Sequence, residues 1–239
     1  MSRFSPTYED QHHPQNPVIQ QQRVIIQSNH GDKLVGILHE TGSKELVILC
    51  HGFRSSKDRI PMVNLAAVLG KAGISAFRFD FAGNGESEGM FRYGSYHREV
   101  DDLRAVVQYF CGEKRAIVAI IGHSKGKVDY RVTEESLMDR LTTDTHAACL
   151  LIPNSCRVLT VHGSADEMVP FEDAKEFNKY ISNHKLHIIE GADHEYTSHQ
   201  DELASIVFDF ITVNPPQDKD TPPQLLLPFT RNKFIHSRF

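Results

Sequence analysis

Apolar residues along the chain recur in two rhythms. Short apolar runs bounded by turn residues read as strands at residues 46–50, 75–81, 115–121, 157–161 and 185–189. Residues 23–26 and 34–39, joined by the turn Ser28-Asn-His-Gly-Asp32, read as a hairpin. Helical spacing supplies the rest. Met62, Leu65, Ala66 and Leu69 share one face of a helix over residues 61–72, with Gly73 just past its end. Val100, Leu103, Val107 and Phe110 do the same over 95–110. Residues 171–180 form another helix, and Leu203, Ile206, Val207, Phe210 and Ile211 make a stripe along a last one over 196–213. A capped helix is expected near Thr133, and the run 147–152 reads as the end of a helix. Strands alternating with helices predict an α/β fold: a mostly parallel sheet with helices on both faces.

The ends of the chain follow neither rhythm. Residues 1–22 are rich in Gln, Pro, His and Asn and read as a disordered leader. Residues 214–239, with Pro215, Pro216, Pro222, Pro223 and Pro228, read as a disordered tail. That leaves one folded domain over residues 23–213. The chain is 40% hydrophobic and 24% charged, an ordinary globular balance. With 26 basic against 31 acidic residues its net charge is −5, which argues against a protein that binds nucleic acid by neutralising phosphates. No apolar run exceeds six residues, far short of the roughly 20 that span a bilayer. The first residues lack the apolar core of a secretory signal. The four cysteines, Cys50, Cys111, Cys149 and Cys156, show no CxxC spacing, so they read as reduced thiols of a cytoplasmic protein.

The chemistry concentrates at strand ends. The apolar run at residues 116–121 leads into Gly122-His-Ser124-Lys-Gly126, a G-x-S-x-G. Chance produces that pattern in roughly one such chain in twelve at about 7% per residue type. Its position after a strand is the stronger signal, because a nucleophile elbow is a sharp strand-to-helix turn. Gly122 and Gly126 are the small residues such a turn calls for. A serine hydroxyl needs a base to take its proton, and in this arrangement the acid and base follow later, in the order Ser, Asp, His. Asp166 follows the strand at 157–161 and His194 the strand at 185–189. His194 is then the general base, and Asp166 holds its tautomer. An oxyanion hole needs two backbone N–H donors; the candidates are Lys125, after the serine, and Phe53, in the His51-Gly52-Phe53 turn after an early strand.

Five segments in this order resemble the α/β-hydrolase superfamily, and within it the plant cytosolic esterase, acyl-hydrolase or serine aminopeptidase S33-like group. They are Val47-Ile-Leu-Cys-His-Gly-Phe-Arg-Ser-Ser-Lys-Asp58, Phe77-Arg-Phe-Asp-Phe-Ala-Gly-Asn-Gly-Glu-Ser-Glu-Gly89, Gly122–Gly126, Val161-His-Gly-Ser-Ala-Asp166 and Glu190-Gly-Ala-Asp-His194. The resemblance spans about residues 23–212. It implies an α/β-hydrolase fold, the triad Ser124, Asp166 and His194, no cofactor and no metal, and a small-molecule ester or amide as substrate. One departure stands out. Two strand–helix crossovers need roughly 60 residues, yet only 41 lie between Ser124 and Asp166. The chain therefore looks like the family with one internal block removed, a central strand and the lid with it. The strand at 115–121 is then left on an edge unless the one at 157–161 crosses to pair with it.

Other motifs read as structure. Gly83-Asn-Gly-Glu-Ser-Glu-Gly89 is one residue too long for a dinucleotide loop, and Glu86 and Glu88 would repel a pyrophosphate. His194-Glu-Tyr-Thr-Ser-His199 is one residue longer than a zinc H-E-x-x-H, which puts its histidines off a common helical face. Asp193, next to His194, is a poorer acid than Asp166 on chain order. The side chains of His51 and His123 are given no chemistry.

Overall fold

The structure, a computed structural model, describes residues 19–124 and 144–213. A five-stranded sheet forms the body. It contains β1 (Gln20–Gln27), β2 (Lys33–Glu40), β3 (Glu45–Cys50), β4 (Ser75–Phe79) and β5 (Ala116–Gly122), in the order β1-β2-β4-β3-β5. β1, β2 and β4 pair antiparallel, whereas β3 pairs parallel with both β4 and β5. A separate parallel pair holds β6 (Val158–Gly163) and β7 (His184–Ile189). The helices are α1 (Ile60–Lys71), α2 (Tyr96–Gly112), α3 (Thr145–Leu150), α4 (Phe171–Tyr180) and α5 (Gln200–Thr212).

The interior strand β3 shows why both faces are covered. Every residue of β3 from Leu46 to Cys50 is buried, and alternate side chains point to opposite faces. Leu46, Ile48 and Cys50 join Phe77, Phe79 and the α2 residues Val106 and Phe110 in one core. Val47 and Leu49 join Met62, Leu65 and Leu69 of α1, Leu203 and Val207 of α5, and Ile189 of β7 in the other. The second core spans both sheets, and partly buried Val118 and Ile121 of β5 pack against it together with Val161 of β6.

Three expectations need correction. The strand over residues 115–121 is not buried: β5 is half-exposed, with Ile120 at 37%. Among the described residues its only ladder is with β3, and β6 pairs with β7, so β5 lies on a sheet edge. The ordered chain starts before residue 23, because Gln20, Gln21 and Gln22 pair with Glu40, His39 and Leu38; main-chain hydrogen bonds order this stretch without an apolar pattern. The last helix begins at Gln200 rather than 196, because Tyr196 has φ +53° and closes a turn instead. The leader over 1–18, the tail over 214–239 and the helix expected near Thr133 lie outside the described residues.

Candidate active site

Four strand ends converge. After β3 come His51, Gly52 and Phe53; after β5 comes Ser124; after β6, Asp166; after β7, His194. Gly52, Phe53, Ser55, His123, Ser124, Met168, His194 and Glu195 line a small cleft of about 60 Å³. Sequence reasoning placed Ser124 and His194 at strand ends, and the structure brings both to this cleft.

Ser124 has φ +35°, in the left-handed region that a residue with a Cβ enters at a cost of about 1–3 kcal/mol. Strain of that kind marks a side chain held at a tight turn. The carbonyl of Ser124 accepts a hydrogen bond from the Phe53 N–H at 3.0 Å. This contact explains Gly52: a Cβ there would lie 2.4 Å from the Ser124 carbonyl oxygen and 2.8 Å from that of His123. Gly122 was expected to be glycine for the same reason, but a Cβ there meets nothing within 4 Å among the described residues. The close approach falls at Gly52 because that turn, not the end of β5, presses against the serine. Lys125 and Gly126 lie outside the described residues.

His194 and Asp166 are paired. The His194 Nδ1–H donates to Asp166 Oδ2 at 2.8 Å, and both side chains are largely buried. Asp166 Oδ1 accepts from the amides of Met168 at 2.8 Å and Val169 at 2.9 Å. Burial opposes ionisation of this carboxyl. Its bonds from His194 and the two amides outweigh burial and hold it below the usual carboxylate range. Asp193 is differently engaged, with its carboxylate accepting from the Thr197 amide at 2.7 Å.

Sequence reasoning missed three supports. His123, given no chemistry, donates from Nε2 to the His194 carbonyl at 3.1 Å, and the two rings lie 5.3 Å apart. It thus ties the end of β5 to the loop carrying His194. Burial holds the His123 imidazole below the usual histidine value. Tyr196 donates its hydroxyl to the Val161 carbonyl at 2.7 Å, fixing the same loop to β6. His51 accepts from the Phe81 amide at Nε2 (3.1 Å), which leaves Nδ1–H to donate to the Gly52 carbonyl at 2.8 Å. No spacing rule reveals these roles, since His194, Val161 and Phe81 are remote in sequence from the side chains they meet.

A buried ion cluster anchors the Phe53 loop. Lys57 is 2% exposed and Asp80 fully buried; Nζ reaches Asp80 Oδ2 at 2.8 Å and Glu86 Oε1 at 2.7 Å. Burial pulls the Lys57 ammonium down, but its bonds to Asp80 and Glu86 outweigh that and hold it above the usual lysine value. Glu86, read from sequence as a turn residue, is thus also a partner of this lysine. Among the described residues no group of three or more His, Cys, Asp or Glu could hold a metal ion, and no helix is long and apolar enough to cross a membrane. All four cysteines are free thiols.

Solved structures share this fold. Est1E from Butyrivibrio proteoclasticus, in a structure with ferulic acid bound, superposes with a TM-score of 0.69 at 21% identity, over 79% of this chain and 97% of its own. The esterase Pf2001 from Pyrococcus furiosus gives 0.67 at 20% identity, over 86% and 95%. The chain has the α/β-hydrolase fold. An α/β serine hydrolase homologue from Coxiella burnetii superposes at 0.63, with 21% identity over 80% of this chain and 97% of that one. Residues 41–133 match the family described as "Serine aminopeptidase, S33". That stretch includes the Phe53 loop and Ser124 but not Asp166 or His194. No curated protein matches the chain.

Proposed function

We propose that this α/β-hydrolase-fold protein is a serine hydrolase that cleaves a carboxylic ester or small amide through an acyl-enzyme on Ser124. One observation carries the reading: a strained serine at a strand end shares a cleft with a histidine whose Nδ1–H is committed to a buried carboxylate. With Nδ1 protonated, His194 Nε2 is the bare nitrogen and accepts the Ser124 proton as Oγ attacks the acyl carbon. The proton then goes to the leaving alcohol or amine. Water, deprotonated by the same nitrogen, releases the acid and restores the serine. Asp166 keeps the tautomer and stabilises the imidazolium. The Phe53 and Lys125 amides are the proposed oxyanion donors. For Phe53 this requires its N–H to leave the Ser124 carbonyl, so substrate binding must open that contact. The esterases among the structural neighbours support an ester substrate, and the ferulate held by Est1E supports an acyl group of modest size.

The test is covalent labelling by a fluorophosphonate probe. Wild type is expected to label, Ser124→Ala to lose all labelling and His194→Ala most of it, while Asp193→Asn changes little. Labelling that persists in Ser124→Ala overturns the assignment. A second reading, a binding protein that keeps the fold without turnover, has the engaged Phe53 amide and the separate β6–β7 pair on its side. It predicts no labelling in the wild type.

A further inference from the structure

His162, next to last in β6, is 7% exposed, and its Nε2 is buried with no hydrogen-bond partner. A polar atom orphaned in this way is destabilising. Asp166 Oδ2 lies 3.9 Å away, the same oxygen that accepts from His194. A carboxylate has about four acceptor positions. Asp166 uses two on Oδ1, for Met168 and Val169, and one on Oδ2, for His194. The fourth is on the oxygen nearest the orphaned nitrogen.

A bare Nε2 would set its lone pair against a buried anion, so the carboxylate selects the tautomer with hydrogen on Nε2. At 3.9 Å that N–H is too far for a hydrogen bond, but a shift of under an ångström makes one. The ring's backbone is fixed by the β6 ladder and its face lies 5.9 Å from the Phe171 ring, so Asp166 is the group with the shorter path to move.

We propose that His162 is a positioning residue for Asp166: its Nε2–H is a second imidazole donor trained on the carboxylate that orients His194. The inference rests on the serine-hydrolase reading for its catalytic meaning, though not for its test. Any charge that His162 draws from Oδ2 is not available to the His194 imidazolium. Removing His162 therefore strengthens the Asp166–His194 interaction and raises the His194 pKa. The other groups facing this pair are His123 from the end of β5, and Glu195 and Tyr196 from the loop that carries His194. They stay constant in the comparison.

The experiment is a histidine NMR titration of the intact protein, which needs no turnover. In wild type, ¹⁵N shifts are expected to show His162 protonated on Nε2; a bare Nε2 overturns the proposal without any variant. In His162→Leu the His194 midpoint is expected to rise by roughly half a pH unit. His162→Gln, whose amide restores a donor, is expected to return most of the way to wild type. An unmoved midpoint in the leucine variant, or a glutamine variant that behaves like leucine, overturns it. Where the protein turns over an ester, the acid limb of kcat/KM moves by the same amount. Normal coupling between His162 and His194 in a protein that takes no fluorophosphonate would sink the hydrolase reading and leave the positioning role standing.

Discussion

Lys57→Met is the sharpest test of how the Phe53 loop, the proposed source of an oxyanion donor, is held. Methionine fills a similar volume but removes the ammonium that touches Asp80 at 2.8 Å and Glu86 at 2.7 Å, with Asp58 at 3.4 Å. Asp80 keeps two backbone donors: the amide of residue 57 on Oδ1 at 2.7 Å and that of Glu86 on Oδ2 at 3.0 Å. Its charge, however, stays fully buried and loses its cation. Breaking a buried pair from one side costs about 3–5 kcal/mol, because an uncompensated ion remains. Total stabilities run about 5–15 kcal/mol, so this is about a fifth of the whole or more. The midpoint of melting should fall by about 10 °C. Adding Asp80→Asn removes the orphaned charge and should recover at least about half of the loss. Urea titrations of wild type, both single variants and the double variant give the coupling directly. A Lys57→Met cost below about 1 kcal/mol at unchanged m-value would refute the reasoning. So would a double variant as costly as the two singles added together. The same variant should label more slowly with fluorophosphonate, since the loop it loosens carries Phe53.

Gly52→Ala would drive a methyl to 2.4 Å from the Ser124 carbonyl, so the loop must retreat and the Phe53–Ser124 bond lengthen; fluorophosphonate labelling should drop at least tenfold, and unchanged labelling would show the contact is dispensable. Asp166, whose folded-state pKa lies below its unfolded value, contributes stability that is present above the ordinary carboxylate pKa near 3.9 and is lost as pH falls through the folded value. The melting gap between wild type and Asp166→Asn should accordingly narrow from pH 6 to pH 3, and a constant gap would contradict the pairing. Ile120→Lys puts a charge on the half-exposed edge strand and should reduce concentration-dependent light scattering with little change in melting; scattering as strong as wild type would clear β5 of blame. Against a short-chain p-nitrophenyl ester, kcat/KM should fall at least about a hundredfold below a full-length relative, some 2.7 kcal/mol of transition-state stabilisation, and a sharp melt with relative-like activity would show that the divided sheet makes a fully working site.

What was legible in the sequence is what local pattern encodes. The buried run 46–50 and the α1 stripe were readable because one side-chain period decides each. The strand-end positions of Ser124, Asp166 and His194 were readable because position after a strand and chain order are themselves sequence properties. The exposure of β5 was half readable: the run 116–121 is apolar enough to be central, and only the 41-residue interval pointed to an uncovered edge. The glutamines at 20–22 gave no sign of a strand, because backbone pairing with β2 decides it. The roles of His123, His162 and Tyr196 were invisible for a different reason. His123 reaches His194 only because β6–β7 meets the main sheet, and the Tyr196–Val161 and His162–Asp166 contacts are set by how the loops after β6 and β7 fold back on that pair, tertiary facts with no periodicity of their own.

The division between the sheets runs through the proposed machinery. Asp166 and His194 belong to the β6–β7 pair, and their 2.8 Å bond depends on a ladder that stays in register from Val158–His184 to Gly163–Ile189. Ser124 belongs to the five-stranded sheet, whose register with β3 runs to Cys50–Gly122. The proposed acid and base thus follow strands of one ladder and the proposed nucleophile a strand of another, with no strand ladder between them among the described residues. What joins the units is softer. The core beneath Ile189, Val47 and Leu49 is shared, and the His123–His194 contact crosses between them. Apolar packing is non-directional and tolerates small slides, whereas a ladder does not. The Asp166–His194 geometry should therefore survive perturbations that shift His194 relative to Ser124. Damage to the interface between the sheets should appear first as slower acylation, with the Asp166–His194 hydrogen bond intact.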